Sequence, residues 1–195
     1  MFIKFRNIFL LLFFCFAFVV STTSVLAQEI GILNSPATES AKVDAGTIGV
    51  DYQLSYPGLL PDHPLYFLKT ARERVMSFFI SNPLKKAEFD LLQADKRVRS
   101  SEMLVAKGKI NLAQSTFSKG ENYFGESLND IKQAKSQGMR INEFAQKLKY
   151  ANLKHKETLS DIIDSLSRKE KNLFTTEANR LDNFSQNVKD LNPNK

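Results

Sequence analysis

His63 and His155 are the only imidazoles in the 195-residue chain, and Cys15 is its only thiol. An imidazole base or a thiol nucleophile would have to be built on these three, and one chain can offer a metal at most two imidazoles. His155 lies on an apolar helical stripe between Lys154 and Lys156, and no acid three or four residues before it shares its face. It reads as a hydrogen-bonded core or boundary histidine. His63, in the Pro-flanked turn Pro61-Asp62-His63-Pro64, reads as a cap or surface residue. Among the acids, Asp161 and Asp164 are three apart, and Asp90 and Asp95 are five apart. Neither pair forms the Glu-x-x-His of a di-iron bundle. The sequence holds no G-x-S-x-G, no phosphate-binding glycine loop, no H-E-x-x-H and no EF-hand spacing. No catalytic, cofactor-binding or metal-ligating residue is therefore assigned. The expectation is a protein that is not an enzyme and carries no cofactor.

The elements that carry these residues begin with a targeting segment. Lys4 and Arg6 precede an uninterrupted apolar run over 8–20, followed by a polar stretch and Val25-Leu26-Ala27. This is the layout of a secretory signal peptide, here 1–27, cut after Ala27. The run is shorter than the roughly 20 residues of a spanning helix. Cys15 follows Phe14 inside the run, where lipid attachment would need a small residue and a position at the end, so it belongs to the discarded signal. The expected location is extracytoplasmic, at the cell surface or in the periplasm, with a membrane anchor if the signal stays uncut. The mature chain then has no cysteine, and its core must stabilise it without disulfides.

Residues 28–58 read as a flexible tether, rich in small and polar residues and without a sustained period. The formal charge of +6 is unevenly placed: 28–63 carries −4 and 64–195 carries +8. The basic charge is spread over all helices with no arginine-rich aromatic stripe, so nucleic acid is not expected as a partner.

From residue 59 to 191 the pattern is helical. Leu59 and Leu60 form a strap between the Tyr56-Pro57-Gly58 and Pro61–Pro64 breakers. Pro64 is placed at the first helical position, with Asp62 or His63 near the cap, and Leu65 and Tyr66 as anchors. A short helix over 65–80 precedes four long ones over 83–107, 109–136, 140–166 and 167–190. Their apolar stripes advance in steps of three and four, alternating strictly from Leu84 to Val105 and from Ile110 to Ala134, and less regularly from Ile141 to Leu166 and from Phe174 to Leu191. Asn82 and Pro83 start the second helix, and Gly108 and Gly138 stop the second and third. Gly120, on a seam, suits close helix contact; Gly125 lies beside it in the same helix. The chain reads as all-α: an elongated antiparallel bundle of four long helices, preceded by a short helix and a Pro-rich strap. Two alternatives stay open, a merged fourth and fifth helix through Ser167, and long hairpins that complete their core as a homodimer. Residues 192–195 form a tail.

Leu60-Pro61-Asp62-His63-Pro64-Leu65-Tyr66-Phe67-Leu68-Lys69 with Glu73, then Ala94-Asp95-Lys96-Arg97-Val98 with Leu104 and Gly108, carry a resemblance. The chain resembles a bacterial family catalogued only as a domain of unknown function, with the pattern LP-x-x-P-LY-x-LK-x-x-x-E and then A-x-x-R-L-x-E-x-x-x-L-x-x-x-G. The likeness covers about 59–135. Ser100 stands where that pattern has an acid. The resemblance implies a helical domain of secreted or membrane-tethered proteins and no activity. On physical grounds, Lys69 and Glu73 can pair across one turn, and Arg97 can reach an acid on the first helix.

Three functions fit these readings. The first is an interaction or structural module at the cell envelope, with an unknown protein partner. The second is a basic surface module on anionic envelope polymer or lipid, with the first helix, bearing Leu65, Leu68, Phe78, Phe79 and three basic residues, lying on a membrane. The third is a periplasmic-type helical chaperone or stress sensor, although the repeated Leu-Thr-x-x-Gln motif of such proteins is missing.

Overall fold

A computed structural model describes residues 50–191. The expected signal peptide with Cys15 and Ala27, the tether as far as residue 49, and the tail lie outside the described residues. Helix α1 spans Tyr66–Phe79, α2 Pro83–Ala106, α3 Ile110–Ser136, α4 Asn142–Ser165 and α5 Thr175–Leu191. The described residues are all-α, as the spacing predicts. The merged fourth and fifth helix is not found. Leu166 is extended, and a helical turn, Arg168–Lys171, and a 3-10 turn, Asn172–Phe174, lead into α5. Glu170 Oε2 accepts from the Ser167 backbone N–H at 3.0 Å and from its hydroxyl at 2.5 Å, which fixes the new start.

Helices α2 and α3 form the closest pair. Helix α5 packs on α3, α4 packs on α5, and α4 closes the ring against α2. Helices α3 and α4 are thus consecutive but diagonal, although the short link at Gly138 suggests neighbours. Both glycine stops hold: Gly108 and Gly138 have φ of +71° and +76°. Lys109 N donates to Leu104 O at 2.9 Å and Gly108 N to Val105 O at 2.8 Å. Met139 N to Ala134 O and Gly138 N to Lys135 O, both at 3.0 Å, repeat the motif.

The α2–α3 approach is close because small residues recur every seventh position on both helices. Ala87, Ala94 and Ser101 on α2 face Ser127, Gly120 and Ala113 on α3 in antiparallel register. The register is fixed by two matching bonds, Ser101 Oγ to Ala113 O and Ser127 Oγ to Ala87 O, each 2.8 Å. Between them, a Cβ on Gly120 would stand 3.0 Å from Arg97 Cβ and 3.2 Å from Ala94 O. Close helix contact is therefore the reason for Gly120, whereas at Gly125 a Cβ would meet only Phe184, at 3.8 Å.

Two apolar clusters fill the bundle. One gathers Leu91, Phe124, Ile131, Phe144 and Leu148. The other gathers Leu104, Phe117, Leu159, Phe174 and Leu181, with Phe117 and Phe174 packed edge to face. Among the described residues, both clusters draw on α2, α3, α4 and α5 together. The bundle also takes in residues before 59. Tyr52 and Leu54 pack against the clusters, so the last part of the expected tether, 50–58, belongs to the bundle.

Candidate functional site

The polar groups of the fold gather on one side of α2, where the strap and α1 cover it. Arg97 is buried there. Its Nη2 donates to Glu73 Oε2 at 3.0 Å, its Nη1 donates to the Tyr66 hydroxyl, and its guanidinium lies over the Tyr66 and Tyr123 rings at 5.4 and 5.6 Å. Gln93, with its amide nitrogen turned to the carboxylate, donates to both Glu73 oxygens at 3.1 and 3.2 Å. Lys69 stands 3.8 Å from Glu73 Oε1 and donates to Pro57 O at 2.6 Å. The expected Lys69–Glu73 pair and the reach of Arg97 to an acid on the first helix are both present. Burial lowers the Lys69 ammonium below its ordinary value, with Glu73 opposing the shift and Arg97, Lys96 and Arg72 adding to it.

This cluster inverts α1. Its inward face is Tyr66, Lys69, Thr70, Glu73 and Ser77, and its one buried residue is Glu73, 3% exposed. Phe67, Leu68, Val75, Met76, Phe78 and Phe79 all point to solvent, Phe78 at 85% exposure. The start of α1 also differs from expectation. Pro64 lies in a turn before the helix, and Leu65 is half exposed. His63 Nδ1 accepts from Leu65 N at 3.1 Å, so it acts as a turn cap. Asp62 instead bridges to the α2–α3 link, accepting from Lys107 and Lys109 at 3.1 and 2.9 Å. Those two bonds, that from Lys109 first, hold its carboxyl down at about 2.

The strap is latched farther along. Val50 N donates to Glu157 Oε2 at 3.1 Å, and the Tyr52 hydroxyl donates to Asp95 Oδ2 at 2.8 Å. Asp95 Oδ1 lies 2.9 Å from His155 Nε2. The row Tyr52–Asp95–His155 has the order of a proton relay, yet His155 is 0% exposed, with its ring against Phe124 at 5.4 Å. Burial first, then Asp95, raises the Tyr52 phenol above its ordinary value. The row joins the strap, α2 and α4. His155 is thus the hydrogen-bonded core histidine expected, and its acid comes from another helix. Asp90 stands apart, bonded to Lys86; burial raises its carboxyl to about 6, against the pull of Lys86.

Glu121 and Glu177 are two further buried carboxylates that the spacing of acids does not single out. Arg180 Nη1 stands 3.2 Å from Glu121 Oε2, and Gln114 Nε2 donates to Glu177 Oε1 at 2.6 Å. Burial, opposed by Arg180 and reinforced by Glu177, raises Glu121 to about 8. Asp161 and Asp164 are both exposed on α4, and Ser100 donates to Lys96 O at 2.7 Å where the family pattern has an acid. Among the described residues no group of three or more His, Cys, Asp or Glu side chains is placed to hold a metal, and no helix is long and apolar enough to cross a membrane.

One concavity opens on this side. A groove of about 510 Å³ runs between strap and α1, lined by Tyr56, Leu59, Leu65 and Leu68 with the cations Lys69, Arg72 and Lys96. It pairs apolar walls with positive charge. No curated protein and no solved structure matches the chain. A family described as a domain of unknown function (DUF5667) matches residues 58–190, from Gly58 through nearly all of α5 but not the latch residues Val50 and Tyr52, and the chain belongs to that family.

Proposed function

We propose that this protein is a non-catalytic helical interaction module of the extracytoplasmic envelope, with α1 as its contact element. The observation that carries this reading is the inversion of α1. A row of phenylalanines and aliphatic residues stands in solvent while the polar face is spent on Arg97, and an apolar row of that kind marks a contact surface. The sequence pattern of a signal peptide over 1–27 supports the location. The buried Tyr52–Asp95–His155 row supports a structural use of the one histidine that has an acid beside it.

The test compares the full chain with its Phe67→Ser/Phe78→Ser variant in retention by envelope fractions, at low and high salt. Retention lost in the variant supports the reading, and equal retention of both forms overturns it. A dimer that the same substitutions dissolve would make the contact a second copy of this chain.

A further inference from the structure

We infer that the outward face of α1 is a docking surface for a bilayer of anionic phospholipid, with the adjoining groove holding a lipid phosphate. This rests on the reading of α1 as a contact element and names what it contacts. At 3.6 residues per turn, Phe67, Ala71, Val75, Phe78, Leu68 and Phe79 fall on one continuous arc. Arg74 lies at one border of that arc and Arg72 at the other. All eight residues are exposed. A helix lying in a membrane interface has this layout, with the apolar arc in the acyl boundary and basic side chains reaching back to the headgroups.

The charges on α1 favour lipid over a second copy. Its only acid, Glu73, is turned inward to Arg97, so the exposed charge of the helix is wholly positive. Face-to-face pairing of two copies would set Arg72 and Arg74 against their own counterparts. An anionic bilayer complements both the arc and its borders. The groove adds a second feature of the same kind. Arg72 and Lys96 line it without an acid partner among the described residues, and Leu59, Leu65 and Leu68 supply apolar walls beside them. A phosphodiester with its acyl chain presents that combination of one negative charge and an adjoining apolar stem.

The experiment sediments the full chain with phosphatidylcholine vesicles and with vesicles that also contain phosphatidylglycerol. At low salt the anionic vesicles are expected to bind about tenfold more tightly, and Phe78→Ser/Phe79→Ser to weaken binding to both by a similar factor. Arg72→Gln/Lys96→Gln removes the preference for the anionic vesicles. Lys132→Gln/Lys189→Gln, which deletes as much charge from exposed positions on α3 and α5, leaves that preference in place. The chain has no tryptophan, so Phe78→Trp introduces a single reporter, expected to shift its emission to the blue on anionic vesicles. Equal and negligible binding to both vesicle types, an unshifted emission, or the same loss from either charge-deleted variant overturns the proposal. If envelope retention still depends on Phe67 and Phe78 while vesicles do not bind, the contact-element reading survives and the lipid does not.

Discussion

The α2–α3 pair and α1 are both amphipathic, yet they stand in opposite relation to the bundle. In the pair, small residues at every seventh position let two backbones approach until Ser101 and Ser127 bond across to the opposite carbonyls. In α1 the side turned to the bundle is polar, fixed by Glu73 and Tyr66 to Arg97, and the apolar side is left outside. Helical periodicity locates a stripe, but the neighbour decides which stripe turns inward. Against a seam of alanine, glycine and serine the inward face is the close-fitting one. Against a buried arginine it is the acidic one, because an unpaired guanidinium in the interior costs more than exposed phenylalanine.

Substitutions that attack one region should leave the other standing. The largest effect is expected from Arg97→Met, which leaves buried Glu73 with only the more distant Lys69, at 3.8 Å, for a cation, a cost of up to about 3–5 kcal/mol in a rigid site. Helix α1 is free to relieve it by lifting, so its amide exchange should accelerate roughly a hundredfold while α2–α3 amides stay protected. Uniform loss of protection would mean the two regions unfold as one. Gly120→Val should lower global stability by about 1–3 kcal/mol, since its side chain meets Arg97 and the Ala94 carbonyl. A urea midpoint equal to the parent's would disprove the close seam. Ser101→Ala and Ser127→Ala should each cost about 1 kcal/mol in the same assay, equally if the pairing is symmetric.

Glu121 should change a slope more than a midpoint. Its folded value of about 8 lies above its ordinary 4.5. The unfolded chain therefore releases this proton first, and the stability Glu121 contributes is present in acid and lost as pH rises to about 8. Glu121→Gln should flatten the melting temperature's fall between those limits, and parallel curves would show an ionised Glu121 in the fold. The smallest effect is expected from Phe67→Ser/Phe78→Ser, whose sites are 62% and 85% exposed. Stability should stay within about 0.5 kcal/mol of the parent for each substitution. A larger drop in urea would mean that α1 buries this face after all.

The long helices were legible because their signals are local. Ile141, Phe144, Leu148, Ala151, His155, Leu159, Ile162 and Leu166 read as one stripe, and all eight are buried. Gly108 and Gly138 end their helices by backbone geometry that few other residues adopt. The reach of Arg97 to Glu73 was also readable, from a buried-side arginine and an acid on the preceding helix. The pairing of Asp95 with both Tyr52 and His155 was not, since these residues lie on a strap and two helices brought together only by the bundle. The break after Leu166 stands where the sequence reading places it, but the apolar spacing runs on across Ser167 and left a merged helix open, because the Ser167–Glu170 cap acts through hydrogen bonds that periodicity does not register. The outward turn of α1 follows from Arg97, a residue outside α1 itself.

The strap latch gives the chain a load path. Tension applied ahead of residue 50 reaches the bundle first through Val50–Glu157 and Tyr52–Asp95, and so spreads sideways into α4 and α2. Helix α1 lies downstream of both bonds along the chain. A pull on the chain ahead of residue 50 must break these two bonds before it can peel α1 from its seat, so α1 is mechanically sheltered from a load applied there.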